Sequence, residues 1–107
     1  MIPLNAGAPG CIAAITQVPM GVAMSGETVT FTDGTLISPT TRFISRTWNF
    51  GDGTVATSSQ PDARTVTHVY VNRTGRTVRV TIRLSERTAD DACAQSIQVE
   101  ISPISIP

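Results

Sequence analysis

Trp48-Asn49-Phe50-Gly51-Asp52-Gly53-Thr54 is the stretch on which the fold of this chain turns. Trp48 and Phe50 stand two apart, so in an extended backbone both point to one face. A face carrying two large aromatics belongs in a core, and truncating either to alanine would cost roughly 3–5 kcal/mol. Gly51 and Gly53 tolerate the positive φ of a tight turn, and Asp52 between them can accept a bond from a backbone amide two residues on. The stretch therefore reads as a buried strand running into a turn, with Asp52 stitching that turn.

The same alternation extends on both sides. Upstream, Phe43 to Phe50 predicts a strand whose inward set is Ile44, Trp48 and Phe50. Arg46 shares that parity, so either a bulge intervenes or its guanidinium snorkels out at the rim. Glu27 to Asp33 places Val29 and Phe31 on one face and Thr28, Thr30 and Thr32 on the other. Cys11 to Val18 is a first strand, and Pro19 to Gly26 and Gly34 to Thr41 are loops. Downstream, Thr54 to Ala63 is polar and holds a short edge strand or none. Arg64 to Val71 puts Val66, His68 and Tyr70 on one side, and Asn72 to Gly75 turns the chain. In Thr77 to Ser85, Val78, Val80, Ile82 and Leu84 face in, while Thr77, Arg79, Thr81 and Arg83 face out. Arg87 to Asp91 is a polar loop, and Ala92 to Ser102 closes the sheet with Ile97, Val99 and Ile101 inward.

Helical periodicity is nearly absent and no repeat is visible. Six or seven short strands punctuated by Gly, Pro, Asp and Ser predict an all-β, immunoglobulin-like β-sandwich. The 107 residues suffice for one domain. It is placed at 11–102, with a Gly- and Pro-rich N-terminal arm at 1–10 and an apolar, Pro-broken tail at 103–107.

Composition narrows the chemistry. Eight acidic and eight basic residues give zero formal charge, and all eight basic residues are arginine. Without lysine there is no phosphate-loop lysine and no Schiff base. Zero net charge argues against nucleic acid as a partner. One histidine and two cysteines cannot build a zinc site that needs more. No apolar run is long enough for a membrane helix, and Met1 to Gly10 lacks the features of a signal peptide.

The motif Trp48 to Thr54 resembles the W-D-F-G-D-G centre of the PKD (polycystic kidney disease) domain family. Val29-Thr30-Phe31-Thr32-Asp33 looks like the family's V-x-F-x-D strand, and Ile44 to Trp48 looks like the lead-in to the motif. His68-Val69-Tyr70 looks like its H-x-Y. Gly75 with Val78, Val80 and Ile82 looks like its G-x-Y-x-V-x-L strand. The resemblance spans about residues 12–101. Asn49 stands where the family has Asp, Thr77 stands near the family's Tyr, and the alternation after Gly75 is displaced by one residue. The resemblance implies a seven-stranded sandwich, usually extracellular, without catalytic activity, serving as a spacer, an adhesive module, or a binder of proteins or carbohydrates.

Candidate sites divide accordingly. Trp48, Asn49, Phe50, Gly51, Asp52, Gly53, His68 and Tyr70 are read as structural, since His68 has no catalytic motif around it. Asp33, Asp52, Asp90 and Asp91 are read as turn residues rather than calcium ligands, and no metal or other cofactor is expected. Cys11 and Cys93 begin the first and last strands, which in immunoglobulin-like sandwiches often run parallel and adjacent. They are either a disulfide closing an 82-residue loop (93 minus 11) or two buried thiols. Arg79, Arg83 and Arg87 form a stripe that is either a solvated sheet face or a contact surface for an acidic partner. Asn72-Arg73-Thr74 is formally a glycosylation sequon.

These features predict a non-catalytic interaction module. Its first reading is a surface-displayed protein of a larger assembly, of the virion-decoration or tail-surface type. Its apolar arms would be held by neighbouring subunits, because such arms on an isolated domain fray. The alternative is an adhesion or carbohydrate- or protein-binding module of a larger secreted or cell-surface protein. The place would be a virion surface or the extracellular side of a cell, with protein partners expected, carbohydrate possible, and no insertion into a membrane.

Overall fold

A computed structural model describes residues 11–104. Among them no helix forms, and the chain runs through ten strands. These are β1 (Cys11–Ile12), β2 (Ile15–Val18), β3 (Val22–Met24), β4 (Thr28–Asp33), β5 (Leu36–Ile37), β6 (Phe43–Asn49), β7 (Val55–Ser58), β8 (Thr65–Val69), β9 (Val78–Thr88) and β10 (Ala92–Ser102). A five-stranded sheet in the order β3-β10-β9-β6-β7 faces a three-stranded sheet in the order β2-β4-β8, and β1 pairs with β5. This is the all-β sandwich that the alternation predicts. The N-terminal arm, 1–10, and the last three residues of the tail lie outside the described residues.

The core forms where the inward parities of both sheets meet. Val29 and Phe31 from one sheet pack against Trp48, Phe50, Ile82, Leu84, Val99 and Ile101 from the other. The Phe31 ring sits 5.9 Å from the rings of both Trp48 and Phe50. Offset aromatic contacts of this kind add about 0.5–1.5 kcal/mol beyond the area they bury.

The structure corrects several expectations. The stretch 34–41, read as a loop, holds the short strand β5, which pairs antiparallel with β1. The single strand over Cys11–Val18 and the loop over Pro19–Gly26 are divided differently. β2 pairs antiparallel with β4, a cis peptide joins Val18 to Pro19, and β3 then pairs in parallel with Glu100–Ser102 of β10. The chain thus changes sheets inside the region read as a loop, a change that alternation alone does not mark. Ile44 is not inward. A register shift between Phe43 and Ser45 turns it out, where it is 38% exposed. Arg46 neither snorkels nor is displaced by that bulge. It keeps its inward parity and is wholly buried. Finally, Arg87 is not in a loop, because β9 continues to Thr88 and only Ala89–Asp91 turns the chain.

Candidate functional site

The turn after β6 is built by its own residues. Asn49 Oδ1 accepts from the Gly51 amide at 3.0 Å, and Asp52 Oδ1 accepts from the Thr54 amide at 3.1 Å. Gly51 has φ +84°, and a Cβ there would lie 2.3 Å from the Thr81 carbonyl oxygen. Glycine is therefore required both by conformation and by the close approach of β9. His68 stacks on Phe50 with ring centroids 4.2 Å apart and meets Tyr70 edge-on at 4.6 Å. Its Nε2 lies 2.7 Å from Asp52 Oδ2. Burial pushes the Asp52 carboxyl up, but bonds from His68 and Thr54 outweigh it and hold the group below its ordinary range. The Tyr70 hydroxyl donates to the Phe50 carbonyl at 2.7 Å. Burial, with the nearby Asp52 charge, pushes that phenol well above its usual range. The Asn49, Asp52, His68 and Tyr70 side chains all find partners within the fold, and those partners hold the turn.

A second cluster lies in the core and went unseen as a cluster in the sequence. Arg46 Nε donates to Asp33 Oδ2. Its Nη1 donates to the carbonyls of Gln60 and Ala63 at 3.0 and 2.6 Å, and its Nη2 to the Pro61 carbonyl at 3.2 Å and to Glu86 Oε1 at 3.4 Å. All three charged residues are essentially unexposed. Burial raises the Asp33 carboxyl, but hydrogen bonds from Glu86, Thr35 and Arg46 outweigh it and hold Asp33 low. Glu86 goes the other way. Burial first, then its hydrogen bond and repulsion with Asp33, push it up to about 7. As a carboxylate Glu86 would leave Oε2 with no donor. As an acid it is itself the donor that its contact with Asp33 needs. The cluster then holds one cation and one anion, which is how two buried carboxyls share one guanidinium. The signal was available: Asp33, Arg46 and Glu86 each continue the inward parity of their strand.

The outer face of the five-stranded sheet differs in kind. Arg79, Arg83 and Arg87 project from β9 with Thr81 and Ser85 between them. Arg79 pairs with Glu100 at 3.3 Å, in the open. Among the described residues no ion pair engages Arg83 or Arg87. Between these two arginines lies an open groove of about 490 Å³, lined by Ser45, Thr47, Ser85, Ala92 and Ala94, with the buried Glu86 and the disulfide-bonded Cys93 also bordering it. Thr47 is in turn 3.3 Å from Thr57 on β7. Phe31, Trp48, Phe50 and Tyr70 are buried, and Phe43 lies under the Arg46 guanidinium at 4.8 Å. No aromatic ring is therefore presented on this face.

Other candidates find structural places. Cys11 and Cys93 form a disulfide with Cα atoms 5.6 Å apart, beside the groove. Asn72 is buried, and its Nδ2 donates to the carbonyls of Arg76 and Ile101. The sequon nitrogen is thus committed to the fold and closed to an attached glycan. Among the described residues no group of three or more metal-ligating side chains forms.

A model of the PKD domain matches residues 13–94. The chain belongs to the PKD domain family. The matched stretch includes the Trp48–Thr54 turn and the His68 and Tyr70 rings packed behind it. No curated protein matches the chain. Among solved structures, the PKD-type sandwich is similar to a chain described in work on the promiscuous specificity of carbohydrate-binding modules of the β-sandwich superfamily. The TM-score is 0.73 at 20% identity, over 90% of this chain and 36% of that one. At that identity the likeness is one of fold. This chain spans about a third of the length of that neighbour.

Proposed function

We propose that this PKD domain is a non-catalytic adhesion or interaction module that docks its partner on the outer face of the five-stranded sheet. The observation that carries the reading is the groove between Arg83 and Arg87, two arginines that make no ion pair among the described residues, over a floor of hydroxyls and alanines. The turn motif supports it by exclusion, since Trp48 and Phe50 are buried and the Asn49 and Asp52 carbonyl and carboxylate oxygens are bonded within the turn or to His68. The likeness to a sandwich from work on carbohydrate-binding modules is compatible with ligand binding by such a face. A disulfide persists in oxidising surroundings, which favours an extracellular or cell-surface location. Decoration of a virion or another large assembly would depend on the terminal arms rather than on this face, and most of the arms lie outside the described residues.

The test places a bulky side chain in the groove and another on the opposite sheet. Ser85→Trp covers the floor between the arginines, whereas Thr67→Trp stands exposed on β8. Immobilised domain is offered a panel of polysaccharides and matrix proteins. Binding abolished by S85W and kept by T67W supports the face. Equal behaviour of the two variants removes it.

A further inference from the structure

Building on the docking role of that face, we propose that its ligand is an extended anionic polysaccharide. Its carboxylate or sulfate groups pair with Arg83 and Arg87, and its hydroxyls bond Ser45, Thr47 and Ser85. The register fixes the geometry. Arg83 lies opposite Asn49 of β6 and Ser96 of β10, and Arg87 opposite Ser45 and Ala92. Between them Ser85 lies opposite Thr47 and Ala94. The two arginines are four residues apart on one strand face, about 13 Å at a strand rise of about 3.3 Å per residue. One carboxylate or sulfate cannot bridge that distance, so the pair suits two anionic groups carried along one chain.

The chemistry of the lining narrows the class further. Arginine presents a planar fork of donors that matches a two-oxygen anion. Glu100 takes up Arg79, Glu86 points into the core, and Asp90 and Asp91 sit in the turn beyond Arg87. The groove itself therefore holds no acidic side chain exposed beside Arg83. A protein interface of ordinary strength needs large buried anchors at its centre, and here the centre is serine, threonine and alanine. A neutral glycan commonly stacks its apolar ring faces on exposed aromatics, and this face presents none. A polyhydroxylated chain bearing charge meets both features: hydroxyls for the floor and anions for the two forks.

Three single variants that each remove one positive charge provide the test. Retention of the intact domain is measured by affinity electrophoresis in polygalacturonate, dextran sulfate and uncharged dextran. Intact domain is expected to be retarded by at least one of the two charged polymers and not by dextran, with the effect fading as salt rises. R83Q and R87Q are each expected to weaken retention about tenfold, the loss of one charge-assisted bond. R79Q, whose partner is Glu100, is expected to change it less than about twofold. Preference for one polymer identifies carboxylate or sulfate as the anion. Equal losses in all three variants would mean diffuse charge attraction and overturn the proposal, as would retention by dextran or by no polysaccharide. In those cases a partner whose binding S85W still abolishes leaves the face itself standing. Unchanged melting temperatures of the exposed-site variants confirm that folding is not the cause.

Discussion

Replacing Glu86 by glutamine should flatten the dependence of stability on pH between about 4.5 and 7. In the fold the Glu86 carboxyl titrates at about 7, against 4.5 when unperturbed. A carboxyl whose pKa is raised by folding favours the folded state while both forms are protonated, below about 4.5. That contribution is lost as pH climbs to the folded value, because the unfolded chain gives up its proton first. The interval between 4.5 and about 7 corresponds to on the order of 3 kcal/mol, at about 1.4 kcal/mol per tenfold change in equilibrium. Asp33 acts in the opposite sense. Its pKa is held below the ordinary 3.8, so its contribution is present above that value and lost as pH falls through the folded one. The buried cluster is accordingly most stabilising in a mildly acidic window, near pH 4–5. Urea denaturation at half-unit steps from pH 4 to pH 8 reads this directly. Intact protein should lose stability across the range, by an amount equal to roughly 13 °C in melting temperature for a domain of this size. E86Q, which keeps a neutral donor facing Asp33 and an acceptor facing Arg46, should show a much shallower slope. A slope in E86Q equal to that of the intact protein would refute the assignment of the proton to Glu86.

Three other outcomes follow from the packing. Gly51→Ala should destabilise by about 3 kcal/mol or more, since the added carbon meets the Thr81 carbonyl oxygen, while Gly53→Ala, at φ +93° with nothing within 4 Å, should cost only about 1–2 kcal/mol in urea melts. Reducing Cys11–Cys93 should lower stability by about 4–5 kcal/mol on the chain-entropy model for an 82-residue loop, and two reactive thiols in denatured, unreduced protein would contradict the bond. Tyr70→Phe leaves the buried Phe50 carbonyl without its donor and should cost about 1–3 kcal/mol by chemical denaturation.

Much of the fold was legible because the side-chain period of a strand is exact. The inward parity of Val29 and Phe31, of Trp48 and Phe50, and of Ile82 and Leu84 survives unchanged in the core. The same rule, carried one position further, also marked the charged cluster. Asp33 follows Phe31 by two, Glu86 follows Leu84 by two, and Arg46 precedes Trp48 by two. Charge obscured that pattern, since a lone buried ion is prohibitive and only the three together are neutral enough to be sequestered. What the sequence hid were events that parity cannot express. Ile44 is turned out by a bulge, and the chain leaves one sheet for the other between Val18 and Val22. The reach of β9 to Thr88 depends on its pairing partners, because Arg87 and Thr88 are held opposite Ser45 and Phe43. That extension puts Arg87 on the same rigid face as Arg83, which is what makes a groove of two arginines rather than one arginine and a loop.

The disulfide has a mechanical consequence. Tension entering at Cys11 passes through the bond to Cys93 and then along β10, leaving the residues from 12 to 92 off the load path. Between Cys11 and Ile104 the stressed backbone is only the eleven steps from Cys93 to Ile104 (104 minus 93), and nearly all of them are already extended in β10. Pulled between those points, this domain behaves as a link of nearly fixed length, and a ligand seated between Arg83 and Arg87 would rest on strands that the force does not run through, save for β10 at its edge.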